Sequence, residues 1–322
     1  MKKTLLFCLA GLAAGQLAKA QTATVTGTAQ DQKGGFLHYV FVEDSKYKTA
    51  TFSDSLGNFS ITVHPDSKLQ CALAGYGDTT ISMAPGTTHV QVTLKDAGDA
   101  SSGGLHIAVA DVRNNPLKDL VNVGDGGMIM PTHEKGTLRG NKYLLDFFAH
   151  GYFVNPAGDI VYNPRSLYDY DKMGGGLLIT NDLKNIRQVV WDQAPAFTLF
   201  SKTDARYDFE QCPAIDQTHY VQVLASGSKY KIYKLIKTKF VRADYVNNGP
   251  AAHGNDYDEY QDDADYYVFD MQTKQPAKFS LRKKSVREAF AKEADKVNKA
   301  MSELSGSIDD AYLAKLGTAM NQ

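Results

Sequence analysis

The 322-residue chain is poor in the features that most often disclose a chemistry. It has one tryptophan, Trp191, and three cysteines, Cys8, Cys71 and Cys212, which excludes a disulfide-dense scaffold and a four-cysteine metal centre. Its 35 Lys and Arg against 36 Asp and Glu leave a formal net charge of -1, so there is no single-sign field of the kind that attracts nucleic acid. The sequence holds no G-x-S-x-G, H-E-x-x-H or C-x-x-C, and no P-loop; no nucleophile stands in an activating local context. No residue is therefore singled out as catalytic or cofactor-binding, and no cofactor is expected. A triad assembled from distant residues would leave no such local trace, because it is defined by geometry rather than by order along the chain.

What is present begins at the N-terminus. Lys2 and Lys3, the apolar stretch Leu5 to Ala14 and the small-x-small site Ala18-Lys19-Ala20 predict an export signal over residues 1–20, with the mature chain starting at Gln21. The apolar stretch is too short to span a bilayer. Cys8 is a poor acylation site, since bulky Phe7 precedes it and the apolar run continues beyond it. Loss of Lys2, Lys3 and Lys19 takes the formal charge to -4. No later segment reads as a transmembrane helix. The expected location is the periplasm, the outer-membrane surface or the exterior. Cys71 and Cys212 remain, in different predicted domains, and two separate buried thiols are favoured over a bridge.

Residues 21–95 form the first predicted domain. Alternation marks short strands at Thr22 to Thr28, Tyr39 to Glu43, Thr49 to Phe52, Asn58 to Val63, Lys68 to Leu73 and His89 to Leu94. Gly34-Gly35, Ser55-Leu56-Gly57, Pro65-Asp66, Gly75-Tyr76-Gly77 and Pro85-Gly86 punctuate them. That spacing predicts an antiparallel β-sandwich. Period-two counting turns Val40, Val42, Phe52, Phe59, Ile61, Val63, Val90, Val92 and Leu94 inward. His38, His64 and His89 lack ligand-like spacing and read as ordinary surface or edge histidines.

Val25-Thr26-Gly27, Val40 to Glu43, Asp54-Ser55-Leu56-Gly57-Asn58-Phe59, Leu73-Ala74-Gly75-Tyr76 and the closing Val90 to Leu94 resemble the carboxypeptidase-regulatory-like domain common in exported Bacteroidota proteins. The resemblance implies a transthyretin-like sandwich without an active site of its own, attached to something larger. Gly57 would allow a positive-φ turn, and Phe59 would plug the sandwich one step later. Phe36-Leu37-His38 departs from the family's usual Pro-Leu pair. The remaining chain is too short for the large barrel of a TonB-dependent receptor.

Residues 96–104 are polar and glycine-rich and predict a linker. Residues 105–274 predict a larger antiparallel β-rich domain, and 275–322 C-terminal helices, giving a mainly β chain overall. Gly124-Asp125-Gly126-Gly127 lacks the Lys-Ser/Thr of a phosphate loop and reads as a hairpin turn. Strands are predicted at Gly151 to Val154, Val161 to Asn163, Leu167 to Asp171, Gly176 to Ile179, Val189 to Asp192, Phe197 to Phe200, Tyr220 to Leu224, Ser228 to Thr238 and Tyr266 to Asp270. The G-x-x-Y-L of Gly140 to Leu144, the later Gly151-Tyr152-Phe153-Val154, Tyr162-Asn163 and the lysine-rich run Ala277 to Val286 resemble a group of exported Bacteroidota proteins that brings no known chemistry. Asn141-Lys142 and Pro164 depart from its usual pattern.

Two charge patterns stand out. Lys229 to Leu235 alternates lysine with apolar residues, predicting one wet face and lysines that guard a sheet edge. Asp256, Asp258, Glu259, Asp262, Asp263 and Asp265, interleaved with tyrosines, could supply carboxylates to calcium but lack EF-hand spacing, so a solvated acidic loop ahead of a strand is expected. Asp169 and Asp171 share a strand face as a possible carboxylate pair or, more commonly, part of a wet surface. In the tail, Ser280 is placed as cap of a helix carrying Val286, Phe290, Val297, Met301 and Leu304, with a second helix from Ser307. These features predict an exported, non-enzymatic envelope protein, an adaptor or binding module for a protein or glycan partner. The alternative is a surface or periplasmic hydrolase of peptide or glycan.

Overall fold

A computed structural model describes residues 22–97 apart from 65 and 85, the backbone of 121–122, residues 138–245 apart from 182 and 184, and residues 253–322. The predicted leader, most of the linker, the strand expected at 105–109 and the glycine loop at 124–127 lie outside the described residues. Contacts divide the chain into two units, Met1–Cys71 with Thr79–Leu94, and Ala72–Asp78 with Lys95–Gln322.

Eight strands fill the N-terminal part: β1 (Ala23–Asp31), β2 (Phe41–Asp44), β3 (Thr49–Phe52), β4 (Asn58–Val63), β5 (Lys68–Ala72), β6 (Tyr76–Gly77), β7 (Thr79–Ser82) and β8 (His89–Asp96). They form two four-stranded sheets, ordered β4-β1-β8-β6 and β3-β2-β5-β7. All nine residues expected to face inward are buried, and β4 and β8 alternate exposed with buried along their length. One pairing departs from the antiparallel expectation, since β1 runs parallel to β8. Strands β6 and β7 were not legible as strands, being short, half-exposed and without strong alternation.

The residues that carry the family resemblance have local physical roles. Gly57 holds φ +76°, and Asp54 accepts the backbone N–H groups of Leu56 and Asn58 on Oδ1, each at 2.8 Å, closing the turn. Gly27 lies directly across from Phe59. A Cβ there would sit 2.2 Å from Cζ of the Phe59 ring, so the glycine is the space the aromatic occupies. Asp31, Asp171 and Asp270 close their own hairpins in the way Asp54 does.

The second unit contains β9 (Val121–Asn122), β10 (Gly151–Val154), β11 (Ile160–Val161), β12 (Leu167–Asp171), β13 (Gly176–Thr180), β14 (Arg187–Gln188), β15 (Ala196–Phe200), β16 (Arg206–Gln211), β17 (Tyr220–Ser226), β18 (Tyr230–Val241), β19 (Glu259–Asp270) and β20 (Gln275–Phe279). Three helices close it: α1 (Lys283–Ala289), α2 (Ala294–Glu303) and α3 (Asp310–Asn321). An eight-stranded antiparallel sheet runs β11-β10-β15-β16-β17-β18-β19-β20, beside a four-stranded sheet β12-β13-β14-β9. Tyr168, Tyr170, Leu177 and Val189 pack against Phe153, Phe197, Leu199, Phe209 and Tyr220 in one core, with Tyr170 5.1 Å from Phe209 between ring centroids. A second core buries Val286, Phe290, Val297, Leu313, Leu316 and Met320 of the helical tail on Tyr230, Ile232, Tyr266 and Val268.

The structure corrects several expectations. The lysine-rich stretch is not an edge: β18 lies between β17 and β19. Tyr230, Ile232, Tyr233 and Leu235 are all buried, so both its faces are packed, and its lysines pair across elements, Lys231 with Glu210, Lys234 with Asp310 and Lys237 with Asp216. The edge strands of this sheet are β11 and β20, and β20 is blunted by Pro276, which has no N–H, and by Lys278. Residues 275–279 are therefore a strand, and the helices start at Lys283. Ser280 does not cap α1; its N–H donates to Ser285 Oγ at 3.0 Å. The single helix expected through Leu304 is broken by a 3-10 turn at Ala291–Glu293, and the last helix is capped by Asp309, which accepts the N–H of Tyr312. Val189 to Asp192 is not a strand but follows the short β14 and enters a 3-10 turn at Trp191–Gln193. β16 went unread because its RYDFEQ sequence is mostly polar.

Candidate binding surface at the end of the long hairpin

Strands β18 and β19 pair over twelve residues each, from Tyr230↔Asp270 to Val241↔Glu259. Their sheet neighbours stop earlier. β17 contacts β18 in register only from Lys231 to Lys234, and β20 contacts β19 only from Tyr266 to Asp270. Leu235 to Val241 and Glu259 to Asp265 thus continue past the sheet as a two-stranded ribbon.

The segment opened by the G-x-x-Y-L pattern braces this ribbon. Arg139 forms a parallel bridge with Glu259: its N–H donates to Asp258 O, and its carbonyl accepts from Tyr260 N, both at 2.9 Å. Gly140 holds φ +73°, and a Cβ there would lie 2.3 Å from the Tyr260 carbonyl oxygen, so only glycine allows this approach. The segment then crosses to β12, where the Lys142 carbonyl accepts from Lys172 N at 2.9 Å and Leu144 N donates to Tyr170 O at 2.8 Å. Lys172 completes the brace. Its backbone carbonyl accepts from Thr238 N at 3.2 Å, and its buried ammonium donates to Asp262 Oδ2 at 2.6 Å.

On the braced ribbon Phe240 stands opposite Tyr260, ring centroids 5.3 Å apart, and remains 39% exposed. The Arg139 guanidinium lies 3.6 Å from the Tyr257 ring centroid, and the Lys142 ammonium 4.8 Å from that of Tyr143. Burial works against the Lys142 charge, but Tyr143, Asp171 and Tyr260 outweigh it and raise its pKa. Among the described residues neither Arg139 nor Lys142 has a carboxylate within ion-pair distance, in contrast to the paired lysines of β18. Leu138, 57% exposed, adjoins them in sequence. The surface therefore offers aromatic rings and two cations held against rings.

The acidic cluster is placed differently from expectation. Asp262, Asp263 and Asp265 belong to β19 itself rather than to a loop before a strand. Consecutive residues of a strand face opposite sides, so Asp262 and Asp263 diverge. Asp262 is engaged by Lys172 and by the Thr238 hydroxyl, Asp265 by Lys278, and Asp258 by the N–H of Ala243. Among the described residues no three His, Cys, Asp or Glu side chains gather as ligands for a metal ion.

Asp169 and Asp171 do not form a working pair. Asp171 uses Oδ1 to accept the N–H groups of Met173 and Gly174, each at 2.9 Å. Asp169 is 2% exposed rather than wet; it accepts from Tyr170 N at 2.8 Å and from Leu145 N at 3.2 Å, beneath the bracing segment. Burial pushes its carboxyl up to about 7, against those two amides and Lys172. Cys71 and Cys212 are free and buried, and burial raises both thiols, Cys71 to about 12. His38 and His64 stack on Tyr39 and Tyr47, and His89 contacts the Thr26 hydroxyl.

No family model matches the chain, and no curated protein matches its sequence. Among solved structures, a streptococcal ancillary pilin is 10% identical with a TM-score of 0.19, over 76% of this chain and 63% of that one. The Bacillus anthracis TIE protein is 10% identical with a TM-score of 0.20, over 77% and 45%. A variant of the major pilin subunit of Bacillus cereus is 10% identical with a TM-score of 0.18, over 82% and 94%. The chain thus spans less than two thirds of the first two. Likeness at that level says nothing of what this chain binds or assembles with. No helix among the described residues is long and apolar enough to cross a membrane.

Proposed function

We propose that this chain is an exported cell-envelope protein that acts as a non-enzymatic binding module or adaptor, and that the ribbon end of β18 and β19 is its contact surface. The N-terminal sandwich is read as a carboxypeptidase-regulatory-like domain without an active site of its own. The observation that carries the reading is Phe240, exposed on Tyr260 at the end of a ribbon that Arg139, Gly140 and Lys172 hold in place. Aromatic side chains presented on a rigid support supply contact area at little entropic cost.

The test is retention of the mature chain, Gln21 to Gln322, on a native envelope fraction, compared with Phe240→Ala and Tyr260→Ala. Melting followed by the fluorescence of Trp191, the sole tryptophan, checks that the variants fold. Retention should fall about tenfold in either variant, the order expected on losing an aromatic anchor. Equal retention of variants and parent would remove this surface from the function, and no retention of the parent would remove binding to the envelope.

A further inference from the structure

We propose that residues 139–149 act as a strap latched to β12 by the protonated carboxyl of Asp169, and that loss of this proton loosens the strap from the sheet. The device belongs to the fold and stands whether or not the ribbon is the contact surface. It follows from a mismatch in the ladder. The strap meets β12 antiparallel at Ala149↔Tyr168 and at Tyr143↔Asp171. Tyr168 and Ala149 exchange both backbone bonds at 2.8 Å, and the next rung runs from Leu144 N to Tyr170 O. Between those rungs β12 advances from 168 to 170 while the strap runs back from 149 to 144, so the strap bulges out of the ladder. In a regular ladder Tyr170 N would donate to a strap carbonyl. It donates instead to Asp169 Oδ1 at 2.8 Å, and the same oxygen accepts Leu145 N at 3.2 Å. The Asp169 carboxyl, 2% exposed, is the rung that the bulge leaves out.

Both bonds need only an acceptor, which an asparagine amide would supply equally well. What the acid adds is a proton that depends on closure. Of the charges on its own strand, Lys172 favours its ionised form and Asp171 opposes it. Lys172 is itself taken by Asp262 of β19. The strap brings Lys142, held against Tyr143, and exposed Asp146, bonded to Asn141, while β13 places apolar Leu178 opposite. Burial prevails over the two amides and Lys172 and holds the group up to about 7. Opening the strap returns the carboxyl to water as an ordinary aspartate. The closed form therefore binds the extra proton, so closure is strongest below about pH 4, weakens as pH rises and levels off above about 7. The strap is suited to opening by itself, because of residues 139–149 only Ala149 is fully buried.

The experiment is hydrogen exchange of the mature full chain, read by mass spectrometry on peptides covering 139–149 and corrected for the intrinsic dependence of exchange on pH. In the parent the opening equilibrium of the strap should rise about tenfold or more between about pH 5 and 7, and change by less than about twofold between about pH 8 and 9. In Asp169→Asn it should stay within about twofold throughout, since the amide keeps the acceptor and has no proton to lose. Peptides of the central strands β17 and β18 should not follow the strap. Equal opening of the parent strap at about pH 5 and 7 would overturn the latch without recourse to any variant. A rise shared in full by β17 and β18 would mean that the carboxyl is reached only when the whole unit unfolds, and would overturn the strap as a separate device. A rise that persists in Asp169→Asn would assign the proton to another group and overturn the inference. None of these readouts uses retention on the envelope, so the binding reading stands or falls apart from them.

Discussion

Asp169→Asn should make the second unit more stable at neutral pH and leave it nearly unchanged in acid. The carboxyl is 2% exposed and is held up to about 7, from an ordinary 3.8, because burial disfavours its charge. Between those values the unfolded chain has given up the proton and the folded chain keeps it. Stability is therefore greatest below about pH 4, falls as pH rises through the window and is flat above about 7. The gap corresponds to a ceiling of ~4 kcal/mol, and relaxation around the charge brings the expected loss to roughly 2–4 kcal/mol. The amide cannot ionise, and its Oδ1 can still accept the N–H groups of Tyr170 and Leu145. Urea unfolding followed by Trp191 gives the assay, because that ring packs 4.5 Å from Tyr220 in the core that also holds Tyr170. The variant should exceed the parent by about 2–4 kcal/mol at pH 8 and match it within about 1 kcal/mol at pH 4. A difference that stays constant across that range would refute the buried-charge reasoning.

Gly27→Ala should destabilise the N-terminal unit by about 1–3 kcal/mol, the cost of overpacking, because the new Cβ would stand 2.2 Å from Cζ of the Phe59 ring; the double variant with Phe59→Leu should recover most of the loss in thermal melts, and no recovery would mean that the backbone rather than the ring sets the requirement. The pair of buried Lys172 and half-exposed Asp262 should respond asymmetrically. Asp262→Ala strands an ammonium whose side chain is 8% exposed and should cost about 3 kcal/mol. Lys172→Met leaves a carboxylate that is 48% exposed and still bonded to Thr238, and should fall within about 1 kcal/mol of the parent. The reverse order in urea unfolding would show that Asp262, not Lys172, is the costly group to leave alone.

Legibility followed the range over which each signal acts. The sandwich core could be read because period-two alternation and turn chemistry are local: Asn58 to Val63 and Thr49 to Phe52 are strands with the predicted bounds, and the D-x-x-G-x-F turn closes through its own aspartate. The parallel β1–β8 pair could not be read, since both strands alternate alike whichever way they run. The lysine stripe misled for a related reason. Alternation records which residues are polar, not where in the sheet the strand lies, and the acids of Glu210 and Asp310 make a central position tolerable for Lys231 and Lys234. The candidate surface was visible only in halves. Gly140 with its pattern and the acid–tyrosine run were both singled out, but their meeting at Arg139 and Glu259 joins residues 120 positions apart, and nothing local marks Phe240.

The ribbon is the part of this fold that stability alone does not explain. A two-stranded hairpin is marginal in water by itself, and seven residues of each strand run beyond the neighbouring strands. A turn close to Lys234 and Tyr266 would have kept the sheet and dispensed with the extension. Instead the chain holds the ribbon by a parallel bridge at Arg139, a glycine that admits the Tyr260 carbonyl, a buried lysine on Asp262, and a crossing segment seated on a carboxyl whose ionisation opposes folding. Two of these, the buried ammonium and the buried carboxyl, cost stability rather than add it. What they secure is position: Phe240 is presented on a fixed backbone rather than on a frayed end. A surface fixed before its ligand arrives loses less entropy on binding, and that is a reason to retain a braced extension which a purely structural hairpin does not have.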